Sequence, residues 1–400
     1  MKTFDEMYAS VSGGGLEESF KKLYMTADEV KKQRARYLKI MDDFAELYGK
    51  DGCIDLFSAP GRTEIGGNHT DHNHGKVLAG GINLDAAAVV AKRDGNMIRV
   101  KSAGHDMNVV DISVTDPVDE EKGHSSALVR GVCAGFLKNG YKIGGFDAAT
   151  HSNVLAGSGL SSSAAFEVLI GTILSYLYND GKVSAVEIAK IAQYAENKFF
   201  GKPCGLMDQT ACSVGGFVAI DFKDPENPKI EKPDFDFGSC GHALCIVDTG
   251  GSHAELTGEY AAVREEMENT AKALGKSVLR EVDKELLISK IPEIREKVGD
   301  RAVIRALHFY GENERVDAEV AALKRGDFEG FKALVSESGR SSFMYNQNVF
   351  TCKAPASQPV SLALALSDEI LSGRGAFRVH GGGFAGTIQA FVPDELLSEY

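Results

Sequence analysis

The chain has 400 residues, of which 43% are hydrophobic and 25% are charged, a balance typical of soluble globular proteins. Because a single core rarely grows this large, we expect two domains, residues 1–225 and 226–400, divided in a proline-containing polar stretch. The net charge of −13 argues against nucleic acid and anionic membranes as partners, since both would repel the surface.

The cysteines and the N-terminal segment indicate the compartment. Seven cysteines are scattered without a Cys-x-x-Cys pair, which is typical of reduced thiols. The N-terminal segment carries acidic side chains and lacks an apolar signal region, and no apolar run of about 18 residues occurs in the chain. We therefore expect a cytoplasmic protein.

The first 50 residues show helical periodicity, because apolar side chains recur every three or four positions between charged neighbours. The members of this apolar face are Tyr37, Ile40, Met41, Phe44, Leu47 and Tyr48. We expect an amphipathic helical extension that packs on the rest of the chain.

Strand signals follow the helical extension. Residues 54–57 predict a short strand that Pro60 and Gly61 should break. Residues 86–92 and 97–101 are rich in β-formers, and the Asp-Gly-Asn turn between them predicts that they form a hairpin.

Residues 59–75 are dense in directional hydrogen-bonding groups. They include Arg62, Glu64, Asn68, His69, Asp71, His72 and His74. Such a segment suits a polyol, whose hydroxyls need paired donors and acceptors. A solvated polar loop is the alternative, and the His-x-Asp-His-x-His run also resembles the ligand runs of zinc hydrolases in a scrambled order.

A glycine- and serine-rich loop leads into a predicted helix over 164–178. The loop consists of Gly157, Ser158, Gly159, Leu160, Ser161, Ser162, Ser163 and Ala164. Glycines let a ligand approach the backbone, and the N–H groups at a helix start attract anions, so the pattern favours phosphate binding. No Gly-Lys-[Ser/Thr] follows, which excludes a Walker A loop, and a serine-rich helix cap is the alternative.

Two carboxylates follow this loop in the chain. A capping box formed by Ser184 and Glu187 begins a helix that should end near Phe200. Glu196 lies close to the end of this helix. Asp208 follows a Pro-Cys-Gly turn. Carboxylates beside a phosphate loop suit Mg²⁺ ligation and proton removal, although each is equally compatible with a surface position.

The second half predicts charged amphipathic helices over 260–335 between strands, a mixed order that indicates an α+β fold. Near its end, Gly381, Gly382 and Gly383 form a glycine loop. The spacing also matches Gly-x-Gly-x-x-Gly, but a strand pattern rather than a helix follows, which argues against a dinucleotide fold. A loop whose backbone lies against phosphate or substrate fits better.

Three of these motifs together resemble the galactokinase branch of the GHMP kinases. Residues 61–71 are similar to the family signature G-R-x-N-x-I-G-E-H-x-D, residues 157–164 to its G-x-G-L-S-S-S-A loop, and residues 380–386 to its G-[AG]-G-F-G-G loop. The resemblance implies a two-domain GHMP kinase fold. Its N-terminal domain would be ribosomal-protein-S5-like with a left-handed βαβ unit, and its C-terminal domain ferredoxin-like, with one further helix and strand beyond Tyr400.

The resemblance also implies an activity, the ATP-dependent phosphorylation of the C1 hydroxyl of galactose, with ATP and Mg²⁺ as cofactors. Asp208 would be the base and Arg62 would assist it, while Ser163 and Glu196 would ligate Mg²⁺. The sugar-binding residues implied are Asn68, His69, Asp71, Gly205 and Tyr260. Partners would be small molecules only, with the chain a monomer or weak dimer.

Two departures from the signature leave the exact sugar open. Asn68 stands where the family has a Glu that binds the sugar 6-hydroxyl, and His72 replaces its Tyr. Galacturonate and N-acetylgalactosamine are therefore alternative substrates. A non-catalytic galactose and ATP sensor is an alternative of another class, although the intact serine run, Arg62 and Asp208 favour catalysis.

Overall fold

The computed structural model describes residues 1–154, 159–251 and 256–400. The chain divides into two compact units, unit 1 with Met1–Arg62 and Gly81–Gly215, and unit 2 with Thr63–Gly80 and Gly216–Tyr400. Unlike the predicted division at 225/226, this partition assigns the early segment Thr63–Gly80 to unit 2. Among the helices of the described residues, none combines the length and apolar character needed to span a bilayer.

Unit 1 begins with a helical extension. Its elements are strand β1 (Lys2–Thr3) and helices α1 (Phe4–Ser12), α2 (Glu17–Tyr24) and α3 (Ala27–Tyr48). The predicted apolar face of α3 is buried from Tyr37 to Phe44, whereas Leu47 is 38% exposed. Thr26 caps α3 by accepting from the Glu29 backbone N–H. The extension packs its aromatic and aliphatic side chains against the unit 1 sheet.

The strands of the unit 1 sheet follow the extension. They are β2 (Cys53–Gly66), β3 (Lys76–Lys92), β4 (Met97–Ser102), β5 (Met107–Asp111) and β6 (Phe146–Ser152), in the order β1-β2-β3-β6-β4-β5. The end of β2 and the start of β3 belong to unit 2. β6 pairs antiparallel with β3 and parallel with β4.

Two local strand predictions were wrong. β3 and β4 do not form a hairpin, because β6 lies between them and the Gly95 carbonyl accepts from the Gly145 N–H of the segment entering β6. β2 also continues through Pro60 and Gly61. Just beyond these residues, the Arg62 N–H donates to the Leu160 carbonyl at 3.1 Å, a contact that the local sequence does not reveal.

Helices complete unit 1. They are α4 (Ser125–Lys138), α5 (Ser162–Asn179), α6 (Ala185–Ala195) and α7 (Met207–Val214), with a π-helical turn at Glu196–Phe200. The predicted capping box of Ser184 and Glu187 is confirmed. The predicted end of this helix near Phe200 corresponds to the end of the π-helical turn, and such turns are frequent at functional sites.

Unit 2 contains strands and long helices. Its strands are β7 (Phe217–Asp221), β8 (Lys229–Glu231), β9 (His242–Asp248), β10 (Ala376–His380) and β11 (Thr387–Pro393). Its helices are α8 (Thr257–Ala273), α9 (Lys284–Val298), α10 (Asp300–Lys324), α11 (Phe328–Ser341) and α12 (Pro359–Leu371), with a π-helical turn at Ser342–Asn346. β7 pairs with β8 and with the start of β3, and β10, β11 and β9 form an antiparallel sheet in that order.

A buried carboxylate on β3 anchors the helical extension to unit 1. Asp85 is 2% exposed and accepts hydrogen bonds from the Tyr24 hydroxyl at 2.7 Å, the Ser58 hydroxyl at 2.5 Å and the Arg36 guanidinium at 2.5 Å. Its backbone carbonyl accepts from the Asn153 N–H at 2.9 Å. The extension is therefore tied to the strand region that enters the serine-rich loop.

We expect Asp85→Ala to destabilise the protein by about 3 kcal/mol, because it leaves the Arg36 guanidinium buried without its counter-charge. Asp43→Ala is the matched control, since Asp43 pairs with Lys39 on the exposed face of α3 and such pairs contribute less than about 1 kcal/mol. Urea unfolding followed by circular dichroism measures both. Equal losses would show that Asp85 anchors nothing.

Candidate active site

The serine-rich loop enters helix α5 as predicted. Gly157 and Ser158 lie outside the described residues. Ser161 adopts the left-handed conformation, with φ 61° and ψ 56°, and α5 begins at the next residue. Non-glycine residues in this region are strained and often mark ligand sites. The N–H groups of the first helical turn have no partner within the helix, which suits an anion.

Two predicted residues from distant stretches of unit 1, Arg62 and Ser161, meet at Asp208. The Arg62 Nε donates to Asp208 Oδ1 at 2.8 Å, and the Ser161 hydroxyl donates to Oδ2 at 2.5 Å. A second Arg62 nitrogen donates to the Gly159 carbonyl. Asp208 lies in the first turn of α7, and its side chain is 34% exposed. The carboxylate is thus held by two donors beside the serine-rich loop.

The predicted metal ligands also lie next to each other. The Ser163 hydroxyl donates to Glu196 Oε1 at 3.1 Å, and Glu196, at the start of the π-helical turn, is 2% exposed. Lys202 Nζ lies 3.2 Å from the same oxygen. A hydroxyl and a carboxylate are hard oxygen ligands of the kind that Mg²⁺ accepts together with water and phosphate, so these residues fit the ion.

Unit 2 brings the signature segment to the glycine loop. The His69 Nε2 lies 2.9 Å from the Gly382 carbonyl, and the Tyr260 hydroxyl donates to the Gly383 carbonyl at 2.7 Å. The Asn68 amide donates to the Gly381 carbonyl at 2.7 Å. A side chain at Gly382 would collide with the Tyr260 ring, which explains glycine there. The signature therefore holds successive carbonyls of the loop.

The other predicted sugar residues are less enclosed. Asp71 is partly buried and begins a short 3-10 turn, Asp71–Asn73. Gly205 is exposed in the segment just before α7. Within 1–154, 159–251 and 256–400, no group of three or more His, Cys, Asp or Glu side chains is arranged to hold a metal ion, so the zinc-hydrolase alternative has no ligand set there.

The sequence of the chain is similar to known families and proteins. Family models described as the GHMP kinases N terminal domain and the galactokinase galactose-binding signature match residues 127–216 and 42–92. A protein named galactokinase from Streptomyces coelicolor is 34% identical over 87% of each chain. One from Glaesserella parasuis serovar 5 is 34% identical over 88% of each chain. The chain belongs to the galactokinase family of the GHMP kinases.

Solved structures show that it has the fold of this family. The crystal structure of Lactococcus lactis galactokinase complexed with galactose matches with a TM-score of 0.71, at 22% identity and 90% coverage of both chains. The Methanococcus jannaschii mevalonate kinase matches with a TM-score of 0.60 at 15% identity, covering 87% of this chain and 95% of that one. The predicted α+β GHMP kinase fold is confirmed.

Opposing effects set the charge state of Asp208 in this family member. Burial favours the protonated form, but attraction to the Arg62 guanidinium and hydrogen bonds from Arg62 and Ser161 outweigh it. The pKa of Asp208 therefore lies below its usual value, and the side chain is a carboxylate at neutral pH. It can accept a proton from a neighbouring hydroxyl without first losing one of its own.

Sequence reasoning missed two residues behind Glu196. The Gln209 amide donates to Glu196 Oε2 at 2.7 Å and lies 3.3 Å from Glu167 Oε2, and both Gln209 and Glu167 are fully buried. Burial first, and then repulsion by Glu196, raise the pKa of Glu167 to about 9. The available signal was position, because Gln209 follows Asp208 and Glu167 lies one helical turn after Ser163.

We expect Glu167→Gln to remove a pH dependence of stability. Between about pH 5 and pH 9 this side chain is ionised in the unfolded chain but protonated in the folded protein. The free energy of unfolding of the wild type therefore falls by at most about 1.4 kcal/mol per pH unit relative to that of the variant. Urea unfolding at each pH measures this difference. Exposed Glu293→Gln is the control, and a similar slope for both variants would contradict the assignment.

Proposed function

We propose that the protein is a galactokinase, which transfers the γ-phosphate of ATP to the anomeric C1 hydroxyl of galactose and yields galactose 1-phosphate and ADP. Its galactokinase relatives and the galactose-binding signature support this activity. The observation that carries the mechanism is the Asp208 carboxylate, held by Arg62 and Ser161 beside the serine-rich loop.

In the proposed reaction, Asp208 takes the proton of the C1 hydroxyl as the sugar oxygen attacks the γ-phosphorus. The bond between the γ-phosphorus and its bridging oxygen breaks, and ADP leaves with the bond electrons. Arg62 keeps Asp208 ionised and oriented before the transfer. Its guanidinium also offers positive charge to the oxygen that loses the proton.

The polyphosphate would lie against the serine-rich loop, whose members are Gly157, Ser158, Gly159, Leu160, Ser161, Ser162, Ser163 and Ala164. Ser163 and Glu196 would hold Mg²⁺ through their oxygen atoms. When bound, the ion neutralises phosphate charge that would otherwise repel the attacking oxygen. Gln209, by bonding Glu196 Oε2, leaves Oε1 on the side of Ser163.

We propose that His69, Asp71, Gly205 and Tyr260 bind the sugar, as the resemblance implies. The glycine loop, Gly381, Gly382 and Gly383, would present backbone groups to the bound ligands. The acidic surface and the small-molecule substrates suit a cytoplasmic enzyme without nucleic acid or membrane partners. We propose a monomer or weak dimer.

We expect Asp208→Asn to lower kcat by about 10²–10⁴-fold while leaving galactose binding largely intact, because the amide keeps the shape of the side chain but cannot accept the proton. The measurement is ADP release with galactose, ATP and Mg²⁺, alongside galactose titration by calorimetry. Exposed Asp180→Asn is the control. Full turnover by Asp208→Asn would remove Asp208 from the mechanism, and an inactive wild type that binds both ligands would indicate a sensor.

We expect Glu196→Gln to raise the Mg²⁺ concentration needed for half-maximal activity by at least about tenfold, since an amide oxygen is a weaker ligand than a carboxylate. Activity is measured against free Mg²⁺ at saturating galactose and ATP. Exposed Glu120→Gln should leave the curve unchanged. An unchanged curve for Glu196→Gln would exclude Glu196 as a ligand.

A further inference from the structure

The side chain of Asn68 has no hydrogen-bonding capacity left in the structure. Its amide nitrogen donates to Glu64 Oε1 at 2.8 Å and to the Gly381 carbonyl at 2.7 Å. Its oxygen accepts from the Asn348 amide at 2.8 Å and from the Ser342 hydroxyl at 3.2 Å. A primary amide has two donors and two acceptor positions, and Asn68 is 0% exposed. Asn68 therefore has no polar atom free for the predicted contact with the sugar.

The partner of Asn68, Glu64, also serves a buried cation. Glu64 Oε1 lies 3.1 Å from Arg378 Nη2, and Arg378 is 0% exposed and donates to the Ile65 carbonyl as well. A buried guanidinium is costly without a counter-charge. The carboxylate at position 64 supplies one and, through the same oxygen, orients the Asn68 amide.

The family signature places Asn at the position of Glu64 and Glu at the position of Asn68. This chain carries the same two residue types in exchanged order, and the two side chains bond to each other. We propose that Glu64 and Asn68 are an exchanged pair, in which Asn68 is a positioning residue that fixes the glycine loop and does not contact the sugar.

The contacts of the loop show how this positioning works. Asn68 holds the Gly381 carbonyl, and the Asn348 amide that bonds Asn68 also donates to the Gly382 carbonyl at 3.1 Å. A side chain at Gly383 would lie 2.0 Å from the Asn348 carbonyl oxygen, so the glycine loop is tightly packed against Asn348. Displacing the Asn68 amide therefore displaces the loop that His69 also binds.

The first test separates positioning from sugar contact and rests on the proposed function for its activity readout. Wild type and Asn68→Ala are assayed with galactose and 6-deoxygalactose. A positioning residue lowers kcat/KM for both sugars by the same factor, so their ratio is kept within about twofold. A ratio that collapses toward one in Asn68→Ala would show that Asn68 reads the 6-hydroxyl and would overturn the proposal.

The second test is the exchange itself, with Glu64→Asn, Asn68→Glu and the double variant in the full chain. We expect each single variant to lower the melting temperature by at least about 5 °C, because Glu64→Asn removes the carboxylate that bonds Arg378 and Asn68→Glu sets two carboxylates and the Gly381 carbonyl together. The double variant should recover at least half of the larger loss and at least tenfold in kcat/KM over the worse single variant.

The control combines Asn68→Glu with exposed Glu120→Asn, for which the losses should add. A double exchange no better than the worse single variant would refute the pair. If Asn68→Glu is insoluble, a soluble double variant supports the pair, and if both are insoluble the sugar ratio of Asn68→Ala decides. An inactive wild type would refute the proposed function alone, because the melting temperatures test the pair without turnover.

Discussion

The contact of Asp208 with Arg62 and Ser161 is the constraint on which the candidate site of unit 1 depends. It joins strand β2, the start of α5 and the first turn of α7, which are far apart in sequence. Burial raises the pKa of this carboxyl group, and attraction to the Arg62 guanidinium is the largest of the effects that lower it. The same contact therefore ties Ser161 to α7 and keeps Asp208 in the ionised form that the proposed proton transfer requires.

Two buried carboxyl groups on α10 show that burial and neighbouring charges together decide the charge state. Burial opposes ionisation of Glu312, yet His308, Arg315 and Arg378 lower its pKa to about 2. Glu319, on the same helix, has its pKa raised to about 8 by burial and by the charge of Glu312. Glu312 accepts from the backbone N–H groups of residues 67 and 68 at 3.0 and 3.2 Å. The ionised Glu312 carboxylate thus holds the backbone of the signature segment at residues 67 and 68.

Much of the structure was predictable where the cause is local. The apolar face of α3, the Ser184–Glu187 capping box and the helix after the serine-rich loop follow from periodicity and capping. The separation of β3 from β4 was not predictable, since the turn between them is local but the insertion of β6 is not. The continuation of β2 past Pro60 is likewise accompanied by a contact with a distant residue, the bond from the Arg62 N–H to the Leu160 carbonyl.

The site residues divide in the same way. Motif position was enough to predict four site residues, and all of them lie in the same region of unit 1. They are Arg62, Asp208, Ser163 and Glu196. It was not enough for Glu167 or Gln209, whose roles arise only when two helices pack and their side chains meet in a buried space.

The role of Asn68 cannot be inferred from its position in the family signature alone. A motif letter gives a place in the backbone, but the hydrogen-bond capacity of the side chain there decides what it can bind. Glu64 bonds Asn68 and pairs with Arg378, and Ser342, Asn348 and Gly381 complete the partners of the amide. A glutamate at position 68 would have to face both Glu64 and a carbonyl. The carboxylate is therefore compatible with one of these two positions and not with both, which is why the residues at 64 and 68 have to be read as a pair.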